Sequence, residues 1–132
     1  MKNAFSLLEI LFCLLIIAIT STIALKPHIN ELIAIREASA HLQILQKNLN
    51  DIVYTAYLQK SSIDNPAIQA LLATSQAQNR FFTLKLDSSN NFTLTLSNKK
   101  RLKLALRQNS NGSFSITCNP NQELCRKLYH SK

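Results

Sequence analysis

From Phe5 to Leu25 the chain reads FSLLEILFCLLIIAITSTIAL, apolar throughout with Glu9 as its only charge. About 20 predominantly apolar residues suffice to cross a bilayer, so this run is long enough to span one. Beyond Leu25 the pattern becomes amphipathic. Leu42, Leu45, Leu49, Ile52, Val53 and Ala56 recur at steps of three and four, the spacing of one helical stripe, and Gln43, Gln46, Lys47, Asn50 and Asp51 fall on the other side. Pro27 is the only helix breaker between Phe5 and Leu58. The pattern therefore predicts one rod about 80 Å long, kinked near the membrane exit but not ended there.

After the loop KSSIDNP, in which Asp64 or Asn65 followed by Pro66 is a helix start, AIQALLATSQ predicts a short second helix. From Arg80 onward the period changes to two. Phe82, Leu84 and Leu86 alternate with Thr83 and Lys85, and Phe92, Leu94 and Leu96 alternate with Thr93 and Thr95. Leu102, Leu104 and Leu106 follow the same rule, as do Phe114, Ile116 and Cys118. Four half-buried strands are expected, separated by DSSNN, SNKK and QNSNG, with Asn111-Gly112 as a hairpin signal. A four-stranded antiparallel meander has one apolar face to cover, and the stripe on the rod supplies the cover. The expected fold class is α+β. A transmembrane helix over residues 5–27 leads into a globular domain over 28–132, built from the amphipathic helix and the sheet.

Charge changes this picture in one respect. The net charge of +8 resides in the C-terminal part, where ten Lys and Arg from Arg80 onward face only Asp87 and Glu123. Lys99, Lys100, Arg101, Lys103 and Arg107 cluster at the turn before the third strand and along its polar face. Such a cluster attracts polyanions, nucleic acid and anionic headgroups alike, or else it is a solvated, repulsive surface. The three cysteines divide. Cys13 lies in the apolar run as a small hydrophobe. Cys118 and Cys125 close CNPNQELC, and outside the cytoplasm they are expected to form a disulfide. The alternative is a zinc site, which would need more ligands than these two thiols and His130. A single Gly excludes Gly-rich phosphate loops, and HExxH, GxSxG and paired-carboxylate motifs are absent from the sequence, so no enzymatic activity and no cofactor are expected.

The leader is MKNA, a short basic stretch ahead of the apolar run, and a glutamate stands five residues into that run. An ordinary secretory signal would instead be cut after its apolar region, where Thr22-Ile23-Ala24 offers a site. Lys2-Asn3-Ala4 followed by Phe5-Ser6-Leu7-Leu8-Glu9 resembles the N-terminal motif of the type IV pilin and type II secretion pseudopilin superfamily. The motif resemblance covers about the first 30 residues, and the helix–loop–sheet order and the C-terminal cysteine pair match the family's architecture. It implies a leader over residues 1–4, removed by a prepilin peptidase between Ala4 and Phe5, with N-methylation of Phe5. It also implies a single-pass subunit of the bacterial inner membrane whose C-terminal domain lies outside the cytoplasm. Glu9 would face the terminal amine of a neighbouring subunit. Physically, a carboxylate in lipid is tolerated when it pairs with a cation or reaches the headgroups. The major pseudopilins carry an acidic calcium-binding loop near the C-terminus; with Glu123 the only acid after Asp87, no metal site is expected. Two functions follow from the resemblance: a structural subunit, pseudopilin or minor pilin, polymerising with other such subunits in secretion or DNA uptake, or a competence pilin that binds DNA through the basic sheet.

Overall fold

The computed structural model describes residues 6–63, 65–88 and 90–130. Within them the chain is α+β. Helix α1 runs Leu7–Leu58, 52 residues, continuous through Pro27. Its start is fixed by Ser6, an extended N-cap whose side chain accepts the Glu9 N–H. Its end is a Schellman closure. Lys60 adopts φ 50°, the Ser61 N–H reaches the Ala56 carbonyl at 3.0 Å and the Lys60 N–H reaches Tyr57 at 3.1 Å. Helix α2 (Asn65–Thr74) then packs on α1 through Ile68 and Leu72.

The sheet has five strands rather than the four expected: β1 (Ala77–Gln78), β2 (Phe82–Ser88), β3 (Asn91–Leu96), β4 (Arg101–Gln108) and β5 (Phe114–Cys118), antiparallel in sequence order. The extra strand, β1, is two residues long, too short to show a period of two. It pairs Ala77 with Leu84 and Gln78 with Thr83, and it begins just past Gln76, where the second helix was expected to end. The other four strands and their alternation are as expected. Phe82, Leu84, Phe92, Leu94, Leu96, Leu102, Leu104, Leu106 and Ile116 face one core, with Phe114 and Cys118 at its margin. A third helix, α3 (Glu123–His130), closes the chain where only a polar segment was anticipated. It buries Leu124, Cys125 and Leu128 and carries Glu123 in its first turn and Lys127 and His130 in its last, favourable ends for the helix dipole.

The cover over the sheet is α1, and its buried stripe begins earlier than the leucine repeat showed. Ala34, Ile35 and Ala38 are buried ahead of Leu42, Leu45, Leu49 and Ala56, while Ile52 and Val53 are half-buried. Alanines are small, and a hydrophobicity pattern weighted toward leucine passes over them. The strands run roughly along the helix. The β3–β4 turn lies beside Glu31, and the β4–β5 turn lies beside Val53, whose Cγ1 would be 3.8 Å from a Cβ on Gly112. Gly112 is required by its φ of 82°, not by lack of space.

Candidate functional site

Three groups of residues carry chemistry outside the core: the start of α1, the end of the module nearest the apolar half of α1, and the outer face of the sheet.

The start of α1 is unpartnered along its length. Every residue from Leu7 to Ile29 is exposed, and no residue of the most apolar 18-residue window is buried. This is one helix long and apolar enough to cross a membrane. Its polar interruption is neutralised internally. Thr20 Oγ1 donates to the carbonyls of Ile16 and Ile17 at 2.9 and 3.0 Å, Ser21 Oγ to Ile17 at 2.7 Å, and Thr22 Oγ1 to Ile19 at 2.8 Å. Hydroxyls bonded back into the helix can enter hydrocarbon with little penalty. Glu9 is in the first turn, with its N–H on Ser6 Oγ at 3.3 Å. Ser6-x-x-Glu9 is the spacing of a capping box, a signal present in the sequence and passed over there. A carboxylate at this place is therefore suited both to the helix N-terminus and to a neighbouring cation. Ala4 and Phe5, the expected cleavage and methylation site, lie outside the described residues, as does Asp64 of the expected second-helix start.

The basic cluster is not one surface. Lys99 sits at the tip of the β3–β4 turn with φ 65°, and Lys100 turns away from the sheet face toward α1. Its Nζ donates to Glu31 Oε1 at 2.9 Å, and Asn98 Nδ2 donates to Glu31 Oε2 at 2.9 Å. Lys127 of α3 reaches the same Oε1 at 3.4 Å and pairs with Glu123 at 2.6 Å. Glu31, whose side chain is 14% exposed, thus ties α1, the β3–β4 turn and α3 together. Nothing in the periodicity marked it, because its partners are 67 to 96 residues away. Arg101, Lys103 and Arg107 do share the outer face of β4, opposite Thr95, Thr93 and Ser115 respectively. Lys103 and Arg107 flank Ala105 in a shallow groove with Asp87 and Thr117.

The Glu31 junction gives a pH-dependent test. The Lys100 hydrogen bond, more than the opposing desolvation, holds the Glu31 carboxyl below the usual 4.5. A folded-state value below the unfolded one adds stability that is complete above 4.5 and is lost as pH falls through the depressed value. Glu31→Gln is expected to destabilise the module by about 1–2 kcal/mol near neutrality, the range for charge-assisted bonds at a partly exposed site. The gap between variant and parent in denaturant titrations should stay constant down to pH 4.5 and close below it. A gap that does not change with pH would mean that the charge on Glu31 contributes nothing.

Cys118 and Cys125 are disulfide-bonded, with Cα atoms 5.9 Å apart, and this removes the thiolate pair that zinc would need. The bond ties the end of β5 to α3. Among the described residues no group of three or more His, Cys, Asp or Glu is placed to hold a metal ion. Asn50, expected on the solvent side of the rod, instead binds the free edge of β5: its Oδ1 accepts the Phe114 N–H at 2.7 Å and its Nδ2 donates to the Phe114 carbonyl at 3.3 Å. Tyr129 Oη donates to the next outward carbonyl, that of Ile116. Two side chains therefore occupy edge groups that would otherwise recruit a further strand. Comparison with protein-family models, with curated proteins and with solved structures finds no match.

Proposed function

We propose that this chain is a structural subunit, a pseudopilin or minor pilin, of a type IV pilus-like filament serving type II secretion or DNA uptake. The observation that carries the reading is the continuity of α1. The half that has no core to enter is apolar on every side and holds one carboxylate, while the other half is built into the sheet's core. A rod of this kind transmits the position of its apolar end to the module with no flexible linker between them. Sister subunits whose apolar helices packed together would bury that surface, and a terminal amine on Phe5 of a neighbour would pair with Glu9. In this reading the helix lies in the bacterial inner membrane, the module is outside the cytoplasm, where the disulfide persists, and a prepilin peptidase is the processing partner.

Processing tests the proposal directly. Protein extracted from membranes should give an intact mass corresponding to a start at Phe5 with one added methyl group. A start at Leu25 would mean ordinary signal cleavage; the apolar helix would be lost, and the filament reading with it.

A further inference from the structure

The arrangement around Glu31 places the basic turn where the sequence order did not. Leu25 ends the apolar run, Lys26 is the first charge after Glu9, and Glu31 is six residues beyond Leu25, about 9 Å along the helix. Helical side chains lean toward the N-terminus, so the Glu31 carboxylate lies nearer still to the apolar segment. Lys100 is held on that carboxylate at 2.9 Å, which fixes the level of the whole β3–β4 turn, including Lys99 and Arg101. The layer of headgroups on one side of a bilayer is about 5–8 Å thick, and surface potentials reach a further 8–10 Å in physiological salt.

We propose that the β3–β4 turn, held to Glu31 by Lys100, is a docking surface for the anionic phospholipid headgroups of the bilayer that α1 enters, with Lys99 and Arg101 as its free cations. This rests on the reading that α1 spans a membrane with its apolar half.

Three observations carry the assignment. The turn's reach is fixed, since Asn98 and Lys100 are both bonded to Glu31 rather than swinging free. The turn keeps uncancelled charge: Lys100 and Lys127 are matched by Glu31 and Glu123, and among the described residues no acid pairs with Lys99 or Arg101. Lys99 and Arg101 are exposed on the turn. Lysine and arginine stems can lie along the apolar boundary while their heads meet phosphates. Nucleic acid fits this end poorly, because a polyanion would have to enter the space between the module and an anionic bilayer. Lys103 and Arg107 are further along β4, Arg107 about 20 Å from Arg101 and away from the membrane, and form no part of the surface. Its consequence is orientational. Headgroup contacts on one side of α1 would hold the rod's tilt and the module's rotation about it before any neighbour binds.

The full chain reconstituted in nanodiscs tests this, using lysine acylation by a water-soluble reagent read by peptide mass spectrometry. Discs of phosphatidylcholine are compared with discs of an equal mixture with phosphatidylglycerol. Lys99 labelling is expected to fall about fivefold in the anionic discs, the effect of about one headgroup contact, and to recover near 1 M salt, where the Debye length is about 3 Å. Lys47, exposed and about 33 Å beyond Leu25, should label equally in both. Equal Lys99 labelling in a chain that is inserted overturns the docking surface and leaves the membrane span standing. A chain that does not co-purify with the discs overturns both. Lys99 left open by anionic lipid but protected by added duplex DNA also overturns the proposal, in favour of a nucleic-acid surface.

Discussion

Replacing Leu49 by alanine should lower the stability of the module by about 3–5 kcal/mol, the range for a fully buried leucine whose site collapses poorly. Leu49 has no exposed surface and sits at the middle of the stripe that α1 lays on the sheet. A module of about 100 residues has only about 5–15 kcal/mol in total, so much of its stability would go. At about 3–5 °C per kcal/mol for a chain of this size, the melting temperature should fall by roughly 10–20 °C. Ile44 is the internal control, because it is on the same helix but 60% exposed. Ile44→Ala in detergent-solubilised monomer should change stability by less than about 0.5 kcal/mol. Calorimetry of the two variants decides whether the helix is half of the core. Equal, small losses would mean that the sheet is covered by something else.

If the chain is the filament subunit proposed, Glu9→Leu should leave membrane insertion intact and remove most incorporation into filaments. Leucine enters lipid more readily than glutamate, so insertion should not suffer. What is lost, if Glu9 pairs with a neighbour's amine, is the partner of a charge held in a poorly solvated place. Stripping one member from such a pair costs on the order of 3 kcal/mol or more, over a hundredfold per junction. The capping geometry at Ser6 adds a competing explanation that one further substitution separates. Glu9→Gln keeps the length and hydrogen bonding that suit a capping box but removes the charge. Cross-linking of co-expressed subunits should therefore find Glu9→Gln nearly as defective as Glu9→Leu. Normal assembly with Gln would assign Glu9 to the helix cap alone.

Much of the architecture was legible because it depends on local repetition. The apolar run, the three- and four-residue stripe and the alternation in β2 to β5 are each written within a window of a few turns or one strand. The stripe and the sheet are each apolar on one face, and the two faces bury each other in one core. The two-residue β1 had no period to read. Helix α3 had a signal, Leu124 and Leu128 on one face with Glu123 and Lys127 four apart, but its first turn lies inside the cysteine-closed segment, which reads as polar. Asn50 was put on the solvent side because a polar residue beside a hydrophobic stripe is normally solvated. It is half-buried because β5 ends the sheet and its Phe114 peptide groups need a partner.

What the sequence by itself determined is therefore the class of the fold, the long apolar helix and the composition of the basic cluster, all consequences of periodicity and charge count. Only the tertiary structure decided what that cluster is. Five cations within nine residues read as one patch, but a turn followed by a strand sends their side chains to different places. Lys100 is directed to Glu31, Lys99 to the tip, and Arg101, Lys103 and Arg107 along a face that runs away from the apolar half of α1. The carboxylate that makes this division lies 69 residues earlier in the chain. Sequence patterns report which residues can share an element. Which end of a rod a distant turn will meet is set by strand length, register and the packing of one apolar face on another.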